Sequence, residues 1–549
     1  MSGKLPFSAA AEVDIGALRI FGWPAFKKRL RRNRTMRLKL VTATSLLALC
    51  LVTTAQGVEV NQDGANAVKD TLTKLLPADL AKSGLITVNP AGARYEIIYD
   101  LAKLLAKADP ATFAIDGLTP FSMFATPLDS GLWNIEGDNN LKVSGHFKGP
   151  DQKPTDFSYS IASLVYTGVF DPAISYLRSG TFAAKDIKVA SKSDTEEVHA
   201  SFAGMDQKLT STDSAGGNGR IDFVGSGSMS TFVEQVSGLQ MPPVEIRADS
   251  IDFDAKVNGL PAKQIREIVL FVLDHLEEKE LSPENSGKIK GMLKEAFPIL
   301  ASFSETIGVN NLTISSQMGN GGVKAFGYNL AIDGPSDAMR FGFGMNAQDI
   351  SLDSPLVPPS YSPFMPTSFE LQLAMPNLDF ATFGEALMAM DFNDKASETS
   401  GEEMSKKLFR DGRLAVEFPK VSAKSDVYDL DMTGKIEGRV DTEKDYSMEA
   451  TILARDLDKT IAAVQELAKT DPDLNQVSFG MMMVKGFAKT DADGRSRWDI
   501  SVSRDGAVAV NGQVVKGPDG PDQDPGLEPE QEQEPDQGQD AVPAPPQQP

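Results

Sequence analysis

A chain of 549 residues, 41% of them hydrophobic, is long enough to bury a sizeable core and to form more than one domain. Its formal net charge of -22 repels phosphate backbones, which excludes nucleic acid as a partner. With 29 Phe against 9 Tyr and 3 Trp, the aromatic content favours greasy sheet faces over polar-tipped recognition surfaces.

The first 57 residues differ from the rest. A basic cluster from Arg29 to Lys39 precedes the apolar run Leu40 to Val52, and small residues follow at Ala55 and Gly57. This is the order of a secretory signal, with an apolar core too short to cross a bilayer, so export with cleavage after Ala55 or Gly57 is expected. The other reading is an uncleaved N-terminal membrane anchor. Met36 opens an ordinary signal by itself, which leaves residues 1–35 as an upstream extension. Cys50, the only cysteine, sits in the apolar run and leaves with it, so the exported chain has neither disulfide nor thiolate. The expected location is periplasmic.

Asp63 to Lys82 has helical spacing and is broken at Pro77. Short strands follow at residues 84–88, 94–99, 113–117, 133–136 and 141–145, separated by turn residues such as Asn89-Pro90 and Gly137-Asp138. Further alternation at 157–161, 182–189, 198–202 and 221–223 completes a β-rich half over residues 58–240, with a soft boundary at Met241-Pro242-Pro243.

The second half, residues 241–516, is organised around Ser250 to His275. There Ile251, Phe253, Ala255 and Val257 alternate with Asp252, Asp254 and Lys256, and Ile265, Ile268, Val269 and Val272 then recur at helical spacing. The same switch from strand to helix recurs at Phe369 to Met390 and at Met448 to Leu467. Between these copies, Phe341, Phe343 and Met345 face one way and Gly342 and Gly344 the other. Met481-Met482-Met483 reads as strand and core, and Trp498 to Val510 as a hairpin. Beyond Lys516, residues 517–549 hold only acidic, Pro and Gln-rich sequence and are expected to be disordered.

Motifs for chemistry are absent. His146 and His199 are expected on solvent-facing positions of strands, and His275 beside Asp274 lacks a nucleophile to serve. Gly216 to Asp222 and Asp491 to Gly494 each resemble part of a calcium loop without its ligand spacing, and both read as turns. No catalytic residue, metal ligand or cofactor site is expected.

Tyr95 to Trp133, Met448 to Lys469 and the ending from Arg497-Trp498-Asp499-Ile500 through Asp505-Gly506 to Val510-Asn511-Gly512 resemble an uncharacterised family of bacterial exported proteins. That family, known as a domain of unknown function, is distantly similar to the AsmA-like envelope proteins. The resemblance implies an envelope location and a β-rich body, and it implies no catalytic residues.

The expected architecture is therefore α+β, a large twisted and mainly antiparallel sheet with amphipathic helices packed on one face. The expected function is that of a non-enzymatic exported envelope protein that binds lipid or another apolar ligand in a sheet groove. The groove is assigned to Phe341, Phe343, Met345, Phe369, Leu371 and Leu373, with Tyr361 and Phe364 of the proline-rich segment 355–366, which reads first as a plain surface crossing and otherwise as a lid over the groove. The alternative is a structural or assembly protein that contacts an envelope protein partner.

Overall fold

The computed structural model describes residues 60–519 except 74–75, 77, 106–108, 150–152, 175, 240–241, 276–280, 390–402, 405 and 443–444. The expected signal, Cys50 and all but the first three residues of the acidic tail lie outside the described residues. The chain divides into two units, Met1–Arg410 and Asp411–Pro549.

The first unit carries β1 (Ile86–Ala91), β2 (Arg94–Tyr99), β3 (Phe113–Asp116), β4 (Phe121–Pro127), β5 (Trp133–Lys148), β6 (Pro154–Asp171) and β7 (Tyr176–Lys192). It continues with β8 (Glu196–Asp213), β9 (Ile221–Gly238), β10 (Val244–Leu260), β11 (Ser302–Ser316), β12 (Gly319–Asp333), β13 (Met339–Asp353) and β14 (Ser368–Leu378). Its helices are α1 (Gln62–Thr73), α2 (Ala78–Lys82), α3 (Ala102–Leu105), α4 (Ala262–Asp274), α5 (Pro283–Ala296) and α6 (Phe380–Ala389). The second unit carries β15 (Arg413–Lys424), β16 (Asp429–Arg439), β17 (Tyr446–Arg455), α7 (Leu457–Leu467), α8 (Leu474–Gly486), β18 (Lys489–Thr490), β19 (Ser496–Val502), β20 (Val508–Val510) and β21 (Gln513–Lys516).

Among the described residues the strand pairs are antiparallel, and from β5 to β14 each strand pairs with the next in sequence. At the other end β1 pairs with β2 and β2 with β4, while β5 takes β4 on one half of its length and β3 on the other. The result is an open meander whose central strands, β5 to β13, run to 15–18 residues. Because β9 and β10 pair along nearly their whole length, the sheet continues past the boundary expected near Met241. The division falls at Arg410 instead.

The antiparallel sheet is as expected, but the α+β architecture with a helical layer on one face is not what forms. The three strand-to-helix switches exist, as β10 into α4, β14 into α6 and β17 into α7. Yet α4 packs on α5, α5 on α6, and α7 on α8, and these helices sit in the connections beside the strands. Helix α1 lies on the sheet in the expected way: Ala65, Val68 and Leu72 join Ile86, Val88, Tyr95, Ile97 and Trp133 in the main buried core. Asn61 starts that helix by accepting from the Gly64 backbone N–H at 2.9 Å.

The turn at Gly216 to Asp222 binds its own backbone, with Ser214 donating to the Arg220 carbonyl at 3.0 Å. Arg220 then reaches out to the carbonyls of Gly259 (2.8 Å), Pro298 (2.7 Å) and Ala296 (3.0 Å), tying the ends of β10 and α5 together. The Asp491 carboxylate is likewise occupied, accepting from the Asp493 and Arg495 backbone N–H groups and the Arg495 side chain.

One line of irregularity crosses the sheet. Ala162, Asp186, Ala203, Thr231, Asp249, Asn311, Lys324 and Asp349 lie opposite one another on the eight strands β6 to β13, yet no ladder pair joins them. On alternate strands the residue is left-handed, with φ of 50° at Asp186, 53° at Thr231, 51° at Asn311 and 51° at Asp349. Three of the four are Asp or Asn, which tolerate that conformation, whereas Thr231 is β-branched and pays a steric cost there. Thr231→Asn, which copies the residue type found on β11, is expected to stabilise the protein by about 1 kcal/mol, read as a higher urea midpoint with unchanged slope.

Candidate functional site

Residues directly opposite in an antiparallel ladder point to the same side of the sheet. Followed strand by strand, that rule yields one oily face. Phe369, Ala347, Phe326, Val309, Ile251, Met229, Met205, Ala184 and Leu164 form a single cross-strand row over nine strands, β14 to β6. A neighbouring row holds Leu371, Met345, Tyr328, Ile307 and Phe253, and a third Leu373, Phe343 and Leu330. The reverse face reads Gly344, Asn329, Thr306, Asp254, Ser226, Lys208, Thr181, Thr167 and Glu136 over the corresponding rows.

The crease is what keeps these faces separate along strands this long. Apolar residues that share the oily face are two apart elsewhere but three apart across it: Ile161 and Leu164, Ala184 and Ile187, Phe202 and Met205, Met229 and Phe232, Ala248 and Ile251. Phe232, Ile246 and Ala248 beyond the crease form one cluster with Ile251 and Val309 before it. The extra residue on each strand steps the alternation by one on every strand at once, so no strand loses register with its neighbour. Polar side chains bridge along the line, with Asn311 donating to Asp249 at 2.7 Å and Lys324 facing Asp349 at 3.6 Å.

Six of the eight groove residues expected from sequence, Phe341, Phe343, Met345, Phe369, Leu371 and Leu373, share this face on the paired strands β13 and β14. All six are half-buried, and their cross-strand partners lie on the same face. Tyr361 and Phe364 sit in a 3-10 turn, Pro359–Phe364, in the connection between those strands, outside the ladder. Gly342 and Gly344 do face the other way, and what comes close to Gly344 is the side chain of Asn329, whose Oδ1 would lie 2.4 Å from an added Cβ. On the oily face, aromatic rings fill the spaces that glycines leave: Phe253 lies over Gly227 and Tyr166 over Gly137.

Glu305 and Glu234 are carboxylates on the oily face, and sequence reading named neither. Glu305 lies between Leu330 and Ala255, and Glu234 between Ile246 and Ala200. Glu234 is 3% exposed and its Oε2 has no hydrogen-bond partner. Burial, and secondarily the charge of Glu196, raises its pKa above the ordinary carboxylate range. Burial also raises the Tyr328 hydroxyl, with Glu305 adding to the effect. The signal for Glu234 was present in the alternation of Phe232, Glu234 and Val236, where an acid holds an apolar position.

The histidines have local partners. His199 is exposed and pairs with Glu197 at 2.9 Å, and His275 binds the Phe271 carbonyl at 2.7 Å while its ring stacks on Phe271. His146, expected on the solvent side, is half-buried against the Pro110 carbonyl at 3.1 Å, because β3 covers that end of β5. Among the described residues no group of three or more His, Cys, Asp or Glu is placed to hold a metal ion. Among them, too, no helix is long and apolar enough to cross a membrane.

In the second unit the same one-sided pattern holds, with Val421, Met432, Ile452 and Trp498 in one row and Glu417, Lys435, Glu449 and Ser501 in a row behind it. Met481, Met482 and Met483, expected in a strand and in the core, lie instead on α8, where Met482 and Met483 are exposed.

Compared with models of known protein families, with curated proteins and with solved structures, the chain matches none of them.

Glu234 links the oily face to pH. A carboxyl whose folded-state pKa is raised binds its proton more tightly in the native state, so its contribution to stability is full below the ordinary pKa and is lost as pH rises through the raised value. Glu234→Gln keeps the neutral shape without the titration. Relative to this variant, the wild-type protein is expected to lose stability as pH rises above the ordinary carboxylate value, read from urea midpoints at successive pH values.

Proposed function

We propose that the protein holds the hydrocarbon part of a lipid, or a similar apolar ligand, along the oily face of its first-unit sheet. The carrying observation is the row from Phe369 to Leu164, apolar on nine successive strands and kept on one side by the crease. Soluble chains seldom leave apolar patches beyond a few hundred Å² without a partner. An array of Phe, Leu, Met and Val side chains with few polar groups among them offers contact to a flexible chain, which suits hydrocarbon better than a folded partner. The face is closed at its β1 end by α1, so the ligand is placed over β6 to β14. Binding by shape and oiliness assigns no catalytic step to any residue. An exported, envelope location is part of the same reading, supported by the basic-then-apolar N-terminus and by the resemblance to exported bacterial proteins.

Delipidated protein titrated with a fluorescent fatty acid is expected to show saturable binding. Phe343→Asp, which puts a charge among Leu330, Leu373 and Met345, is expected to weaken it at least about tenfold, while Thr306→Asp on the reverse face leaves it unchanged. Absence of saturable binding in the wild-type protein, or equal effects of the two substitutions, overturns the assignment.

A further inference from the structure

At one end of the first-unit sheet, three neighbouring connections carry no charge. They join β9 to β10, β11 to β12 and β13 to β14, and they lie side by side because Val236 stands opposite Val244, Val244 opposite Ser316, Ser316 opposite Gly319 and Asn320 opposite Asp353. In a chain that is 24% charged, residues 235–244, 306–323 and 354–369 contain no charged side chain. The next turn along this end, between β7 and β8, is different: its Asp194 pairs with Lys153 at 2.6 Å. Each uncharged connection also holds out an aliphatic side chain, with Leu239 80% exposed, Met318 50% and Leu356 67%.

These turns satisfy their own backbone. The Leu356 N–H donates to the Ser354 hydroxyl at 3.2 Å and the Met318 N–H to the Ser316 hydroxyl at 3.1 Å. The N–H groups of Val357, Tyr361 and Met365 donate to the carbonyls of Ser354, Pro358 and Ser362. The Leu239 N–H reaches the Thr195 carbonyl at 3.2 Å, and the Ser354 hydroxyl donates to the Met318 carbonyl at 2.5 Å, which ties two of the connections together. Pro242, Pro243 and five prolines between 355 and 366 have no N–H to satisfy. Water makes no such demand on an exposed loop, whereas hydrocarbon does.

We infer that this end of the sheet docks on an electrically neutral lipid bilayer, with Leu239, Met318 and Leu356 entering the hydrocarbon. The missing charges and the self-bonded backbone remove the two costs that keep ordinary loops out of lipid. A protein partner would draw on about one hydrogen bond per 100–200 Å² of interface, and the prolines take those donors away. The net charge of -22 decides between lipid surfaces, since it opposes an anionic one and is indifferent to a zwitterionic one. The acids at the bases of the turns, Asp353 and Glu245, lie in the ladders behind the tips, and Glu245 is paired with Arg247 at 2.6 Å. This contact goes beyond the ligand reading and does not depend on it.

The test is flotation of the full chain with vesicles of phosphatidylcholine, with and without added phosphatidylglycerol. The wild-type protein is expected to float with the neutral vesicles and less well with the anionic ones. The triple variant Leu239→Ser, Met318→Ser, Leu356→Ser is expected to partition at least about tenfold less. All three side chains are exposed, so this variant is expected to keep the wild-type urea midpoint and fatty-acid affinity. A separate variant, Leu356→Trp, is expected to gain fluorescence that phosphatidylcholine brominated in its acyl chains quenches. No flotation of the wild type, equal flotation of wild type and triple variant, flotation that requires phosphatidylglycerol, an unquenched tryptophan, or a concentration-dependent dimer that the triple variant abolishes overturns the inference. Flotation without saturable fatty-acid binding sinks the ligand reading alone, and fatty-acid binding without flotation sinks this inference alone.

Discussion

The structure depends on keeping apolar side chains on one side of strands that are 15–18 residues long. A two-residue alternation by itself specifies a face only while register holds, and a twisted strand of this length, about 50–60 Å, has to bend. The crease from Ala162 to Asp349 resolves the conflict by inserting one unpaired residue at the same level on eight strands. Each strand takes the step opposite its neighbour's, so the ladder on both sides stays in register. Asp and Asn at three of the four left-handed positions make the irregularity inexpensive.

From that constraint the rest follows. With the oily face unbroken from β6 to β14, rings can reach across to glycines on neighbouring strands, as Tyr166 does over Gly137, and the sheet gains contact area within its own face. The core proper is concentrated where α1 meets β1, β2, β4 and β5. Elsewhere half-burial is the rule, and the helices shield each other in the connections. A carboxyl such as Glu234 feels this setting as loss of solvation without a compensating partner.

Much of the sheet was legible. The alternations of Ile251 to Val257, Phe341 to Met345 and Phe369 to Leu373 placed side chains on the correct faces, and the strand-to-helix switches fall where periodicity changes. What could not be read was the destination of the helices. An amphipathic stripe says that a helix buries one side and is silent on whether a sheet or another helix receives it; α4 and α5 chose each other. The crease was hidden because a one-residue step looks like the end of one alternation and the start of the next, as at Ala184 and Ile187. Met481 to Met483 misled for the opposite reason: consecutive large apolar residues suggest a buried run, and exposed helix is the least expected home for them. Glu234 breaks the apolar alternation of β9, and a single acid does not by itself tell which side of a strand is covered.

The meander has a consequence for how such a molecule grows. In a barrel, adding a strand changes tilt, diameter and closure together. Here each long strand from β6 to β13 pairs with the one before it and the one after, so a hairpin can be gained or lost without disturbing distant pairings. Each newly laid strand finds its template already in place, which favours assembly outward from one edge and keeps the chain separation of contacts modest for a β protein. The length of the apolar track is thus an evolvable quantity, set by the number of hairpins, and independent of the way either end is finished.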